Sequence, residues 1–208
     1  MSVAAVLERI RSARVVPVLR LKERRHAETA ARWLLEAGFD VLEITLSIPD
    51  APELIRALSA EPGLIIGAGT VATARDAEAC LAAGARFIVS PWVDPELAGP
   101  CRAAGAALMP GALTPTEVRA AIKAGADAVK IFPASSAGGP AHIRALKSVF
   151  PGVLFCPTGG VAPEDVSSYL AAGAAFVGIG GALADERRIA AGDHDGILAA
   201  ARIVREAA

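Results

Sequence analysis

The chain alternates between short apolar runs and longer stretches in which apolar residues recur at helical spacing. Five of the runs follow an Ala-Gly pair: EAGFDVLEI (36–44), AAGARFIV (82–89), AAGAALM (103–109), KAGADAVKIF (123–132) and AAGAAFVGI (171–179). The glycines of these pairs, Gly38, Gly84, Gly105, Gly125 and Gly173, are separated by 46, 21, 20 and 48 residues. The long gaps are close to twice the short ones, so one unit repeats through the chain and two of its copies lack the pair. Those copies are LIIGAG (64–69) and VLFCPTGG (153–160), and RVVPVL (14–19) opens the series. Eight apolar runs result, each followed by a helical pattern.

A unit of this length holds one short strand, a turn and a helix of about three turns. Glycine just past each helix supplies the left-handed residue that ends it. The strands read as almost unbroken apolar runs, as they must when both faces of a parallel sheet are covered. Thr114-Pro115, Asp94-Pro95 and Ala162-Pro163 mark helix starts, because proline suits the first helical position. The even spacing predicts a (β/α)₈ TIM barrel formed by residues 1–208 as a single domain. An open doubly wound sheet would need fewer equivalent units.

Composition adjusts this picture in a few places. Hydrophobic residues make up 53% and aromatic residues only 4%, so the core is built from Ala, Val, Leu and Ile. The formal charge of -1 and the lack of a long Lys/Arg run argue against a nucleic-acid partner. The basic stretch from Arg20 to Arg25 opens a helix and serves as a solvated face or a local anion contact. Cys80, Cys101 and Cys156 lack metal-ligand spacing and read as reduced, buried thiols. His26, His142 and His194 fall away from the strand ends, and no acidic cluster is placed for Mg²⁺, so no metal or other cofactor is expected. Without a signal sequence or a long uninterrupted apolar stretch, the expectation is a soluble cytoplasmic protein that does not enter a membrane.

In a barrel, chemistry gathers at the C-terminal ends of the strands. Two residues there break the apolar rule: Glu43 inside VLEIT and Lys130 inside DAVKIF. Strand residues alternate in facing, so Lys130 shares the axial side with Ala128 and Phe132, while Val129 and Ile131 face the helices. By the same rule Glu43 joins Val41 and Thr45 inside, with Leu42 and Ile44 outside. An amine taken out of water favours its neutral, nucleophilic form, and a carboxylate beside it can move protons. A structural Lys–Glu pair across the barrel accounts for the same pattern. Thr158-Gly159-Gly160 and Gly178–Gly181 can aim backbone N–H groups at an anion, or simply form tight turns. Thr70 can bind a carboxylate or cap the next helix.

These residues carry a resemblance. VVPVL (15–19), LEITL (42–46), IGAGTV (66–71), Ser90-Pro91, Pro110-Gly111, VKIFPA (129–134), PTGG (157–160) and the ending AGDHDGILAAARIVREA (191–207) together resemble the 2-keto-3-deoxy-6-phosphogluconate and 4-hydroxy-2-oxoglutarate aldolases. The resemblance implies a metal-independent class I aldolase on a (β/α)₈ barrel, assembled as a homotrimer, that cleaves a small keto-acid to pyruvate through a Schiff base. It assigns Lys130 as the imine-forming lysine and Glu43 as the general acid/base. Thr70 would bind the pyruvyl carboxylate, Pro91 and Phe132 would wall the pocket, and Thr158, Gly159, Gly160, Gly180 and Gly181 would form the phosphate end.

This chain departs from the family pattern at three positions. Ser47 stands where phosphogluconate-type members carry arginine, while Arg20 follows strand one as in the 2-keto-3-deoxy-6-phosphogalactonate branch. Arg20 is therefore the expected carboxylate clamp. Gly181 replaces a serine, and Trp92 replaces a glycine after Ser-Pro. The expected reaction is cleavage of 2-keto-3-deoxy-6-phosphogluconate, with 4-hydroxy-2-oxoglutarate, 2-keto-3-deoxy-6-phosphogalactonate or a broad range of keto-acids as alternatives. A barrel isomerase using Glu43 as base and a non-catalytic keto-acid binder are the competing classes.

Overall fold

A computed structural model describes residues 1–208. Its strands are β1 (Val15–Leu19), β2 (Val41–Thr45), β3 (Ile65–Gly69), β4 (Phe87–Val89), β5 (Ala107–Met109), β6 (Gly111–Ala112), β7 (Val129–Ile131), β8 (Phe155–Pro157) and β9 (Val177–Ile179). All pairings are parallel, in the orders β5-β4-β3-β2-β1-β9 and β6-β7-β8. Two links join these sheets into a ring. β5 and β6 are halves of one strand interrupted at Pro110, whose ring removes the backbone N–H but whose carbonyl still accepts from Lys130 N at 3.0 Å. On the other side, Thr158 and Gly178 form a parallel bridge. The ring is the eight-stranded TIM barrel that the repeat predicts.

The helices between strands are α2 (Arg24–Glu36), α3 (Ala51–Ser59), α4 (Ala74–Ala82), α5 (Ala98–Ala104), α6 (Pro115–Lys123), α7 (Gly139–Val149) and α8 (Val166–Ala171), followed by α9 (Glu186–Ala190) and α10 (His194–Glu206) after β9. Gly38, Gly84, Gly105, Gly125 and Gly173 all have positive φ, as the helix-ending role requires. Thr114 forms a capping box with Glu117 at the start of α6. The other two proline signals open differently. Pro95–Leu97 and Pro163–Asp165 are single 3₁₀ turns that lead into α5 and α8.

Alternation sorts the apolar residues into two cores. The larger lies between sheet and helices and includes Leu42, Ile44, Val129 and Ile131. The smaller fills the barrel and includes Val16, Val41, Ile65, Phe87, Met109, Ala128 and Phe176. Room for the Phe87 ring comes from Gly67 on the adjacent strand, where a Cβ would lie 2.1 Å from the ring. One helix precedes the eight units: α1 (Val3–Ala13), capped by the Ser2 hydroxyl. Its Val6 and Ile10 are fully buried in the inner core. They sit with the first layer of strand residues, so α1 covers the N-terminal mouth of the barrel. No helix is long and apolar enough to cross a membrane.

Candidate active site

Glu43 and Lys130 come from β2 and β7 and both point into the barrel, one layer above the apolar residues Val41 and Ala128. Their side chains are only 6% and 4% exposed, and Lys130 Nζ lies 3.9 Å from Glu43 Oε1. That separation is too long for a direct hydrogen bond, and the buried Oε1 accepts none from any other group. Burying two charges is costly unless they are paired and their hydrogen-bonding capacity is used. A carboxylate left partly unused beside a buried amine is thus a poor stabilising device and a suitable proton carrier. Gly69 makes the position possible, because a Cβ there would lie 2.0 Å from Glu43 Oε1. The sequence reading did not single out Gly69 for this.

Above this pair opens a cavity of about 260 Å³, lined by Val18, Arg20, Lys130, Phe132, Thr158, Gly159, Gly160, Gly180, Gly181 and Ala184. The Phe132 ring stands over the amine, 5.2 Å from Lys130 Nζ to its centroid. Arg20 and Thr70, singled out separately in the sequence, are in contact: Arg20 Nη2 donates to Thr70 Oγ1 at 2.7 Å. Thr70 holds this place in the left-handed region, at φ 58°, a conformation that costs a threonine energy and recurs where function demands it. On the other wall, Gly159 and Gly160 also have positive φ. A Cβ on Gly160 would collide with the Ser135 hydroxyl, and one on Gly178 with the Thr158 hydroxyl.

Pro91, like Glu43 and Thr70, is not among the residues that line this cavity. Its carbonyl packs where a Cβ of Gly111 would be, so it buttresses the split strand. Trp92, half exposed, does not line the cavity either. Val18 and Ala184 were missed by the sequence reading; Val18 pairs in register with Glu43, and strand alternation alone would have pointed it inward. Ser47 reaches the hydroxyl of Thr45 at 2.7 Å, and Thr45 in turn donates to the Leu19 carbonyl. No side chain approaches within 4 Å of where a Cβ on Gly181 would stand, so that wall is open.

The cysteines are free and buried. Cys156 neighbours Lys130 in register, but burial pushes its thiol up to about 12, which keeps it protonated and weakly nucleophilic. No group of three or more His, Cys, Asp or Glu side chains is gathered where a metal could be held. His26, His142 and His194 contact Glu186, the Leu113 carbonyl and Glu36, outside the cavity.

The family model "Aldolase: KDPG and KHG aldolase" matches residues 6–200. The chain belongs to this family. It is accordingly an aldehyde lyase of class I, with the fold of its relatives. The 2-dehydro-3-deoxy-phosphogluconate aldolase of Pseudoalteromonas atlantica is 39% identical over 189 residues, covering 90% of this chain and 88% of that one. The KHG/KDPG aldolase of Escherichia coli K12 is 36% identical over 195 residues, covering 93% and 92%. Among solved structures, the KDPG aldolase of Legionella pneumophila, with pyruvate captured at low pH as a covalent carbinolamine, superposes with a TM-score of 0.86 at 34% identity. It covers 96% of this aldolase and 97% of that chain.

Proposed function

We propose that this aldolase cleaves 2-keto-3-deoxy-6-phosphogluconate to pyruvate and glyceraldehyde 3-phosphate, with Lys130 forming the Schiff base and Glu43 moving the protons. The observation that carries the assignment is the buried Lys130 amine, 3.9 Å from the Glu43 carboxylate, at the base of the cavity. The neutral amine adds to C2 of the keto-acid, and Glu43 delivers the proton with which the carbinolamine hydroxyl leaves as water. The iminium is then the electron sink. Glu43 accepts the proton of the C4 hydroxyl, the C3–C4 bond breaks, and the aldehyde departs. Protonation of the enamine at C3 and hydrolysis of the imine release pyruvate and return the free amine.

Arg20 and Thr70 hold the pyruvyl carboxylate and so aim C2 at the amine, while Phe132 walls the keto-acid. Arg20 thereby takes the role that the arginine absent at Ser47 has in phosphogluconate-type members. Backbone N–H groups around Thr158, Gly159, Gly160, Gly180 and Gly181 receive the phosphate. The enzyme works as one domain over residues 1–208, as a homotrimer in the cytoplasm, on a small-molecule substrate and without a cofactor.

The open wall at Gly181 favours a second reading. Without a side-chain hydroxyl for phosphate there, 4-hydroxy-2-oxoglutarate or another keto-acid could turn over as well. Pyruvate release from the two substrates, compared for wild type and Lys130→Ala, decides between them. A preference for the phosphorylated substrate of about tenfold or more in kcat/KM, about 1.4 kcal/mol of transition-state discrimination, supports a backbone phosphate site. Equal or reversed preference identifies a general keto-acid aldolase. Full activity in Lys130→Ala overturns the Schiff-base assignment altogether.

A further inference from the structure

Arg20 is exposed and stands at the head of the loop from β1 to α2, so its aim depends on what fixes that loop. α2 does not fix itself: its N-cap, Glu23, makes no side-chain capping hydrogen bond. The anchor comes instead from the far end of the chain. Glu186, the first residue of α9, accepts from Lys22 N through Oε2 at 2.7 Å and meets His26 Nδ1 through Oε1 at 2.5 Å. Both oxygens are engaged, one just before α2 and one within its first turn. The carboxylate and the imidazole are 29% and 15% exposed, so water competes only partly for them. Glu186 itself follows closely on the segment after β9 that carries Gly180, Gly181 and Ala184 in the cavity wall, and β9 is the strand paired with β1.

We infer that Glu186 is a positioning residue, a strut that ties the loop after β1 to the segment after β9 and holds Arg20 at the geometry needed to receive the substrate carboxylate. Only Leu21 separates Arg20 from Lys22, a reach of at most about 7 Å along the backbone, so displacement of the Lys22 amide carries over to Arg20. Glu186 touches no reacting atom and acts only through Arg20. The inference rests on the assignment of Arg20 to the carboxylate.

The test is a double-mutant cycle read out by borohydride trapping of pyruvate on the enzyme. Glu186→Ala is expected to raise the pyruvate concentration for half-maximal trapping about tenfold, leaving the plateau of trapped enzyme unchanged. Arg20→Ala raises it by at least as much, and adding Glu186→Ala to Arg20→Ala changes it no further. Glu186→Gln, which keeps an acceptor for Lys22 N, recovers part of the loss. Should Glu186→Ala unfold, His26→Ala removes one of the two anchors and is expected to give a smaller shift of the same kind. If Arg20→Ala leaves trapping unaltered, the carboxylate assignment fails and the strut with it. If Arg20→Ala weakens trapping but Glu186→Ala does not, or the two losses simply multiply, the strut alone is overturned.

Discussion

At the scale of the residue, the site depends on glycines as much as on its charged pair. Gly67 and Gly69 both lie on β3 and face inward, yet what a side chain would meet differs. At Gly69 the neighbour is the Glu43 side chain from Cγ to the carboxylate, a flexible chain that must turn aside to make room. At Gly67 it is the Phe87 ring, buried among the inner core residues and without room to turn. Gly69→Ala should therefore keep most of its stability and lose turnover by about two orders of magnitude or more, as when a proton-transfer group is misplaced. Gly67→Ala should do the reverse, costing about 1–3 kcal/mol through overpacking. Thermal unfolding and kcat measured on both variants check the pair. A Gly69→Ala enzyme with normal kcat would mean that the carboxylate does not need its present position. Little of this was legible in the sequence. Alternation put Glu43 and Lys130 inside the barrel, whereas the clearance that admits a carboxylate appears only once two strands lie side by side.

At the scale of the element, short-range signals were read well and long-range ones were not. The strands, their facing and the glycine helix ends follow from periods of two and from residues adjacent in sequence, and all are present in the fold. α1 escaped because its apolar positions belong to no repeat unit, although Val3, Val6, Leu7 and Ile10 have helical spacing. The break at Pro110 and the tie from Glu186 to Lys22 and His26 escaped for another reason. The first depends on the neighbouring strand, and the second joins residues more than 150 positions apart. The capping box of α6 is a local device with a pH-dependent consequence. The Thr114 and Leu113 amides and the Thr114 hydroxyl hold the Glu117 carboxyl below its ordinary 4.5. A carboxyl lowered by folding stabilises the fold above its unfolded value, and that contribution disappears as pH falls through the folded value. Thr114→Ala should thus cost about 1 kcal/mol at neutral pH, with the gap to wild type narrowing as the solution is acidified below 4.5. Denaturant midpoints across that range provide the measurement, and a gap that stays constant in acid would mean that the ionised carboxylate adds nothing to the interaction with Thr114.

At the scale of the molecule, the barrel separates chemistry from support along its axis. The C-terminal ends of the strands carry Arg20, Thr70, Lys130 and the glycine walls, while the N-terminal mouth is covered by α1. Between them lie apolar layers that include Val16, Val41, Ile65, Phe87 and Phe176. These layers have no helices inside the ring to pack against, so α1 supplies their cover from below. Ile10 is the residue on which to test this division, being fully buried and pointed into the barrel from the face away from the cavity. Ile10→Ala removes apolar contact and leaves a hole that a close-packed barrel collapses onto only in part, a loss of about 2–5 kcal/mol. For a chain of this size, each kcal/mol lowers Tm by about 2–4 °C, so a fall of roughly 5–15 °C is expected. The catalytic layer lies on the far side of those residues and stays where it is, so kcat/KM at a temperature well below unfolding should remain within about twofold of wild type, a change below 0.5 kcal/mol in transition-state stabilisation. A parallel drop in kcat/KM would show that the inner layers transmit the change from the mouth to Lys130 and Glu43, making the helix part of the active-site support. An unaltered Tm would show that α1 merely rests on the barrel.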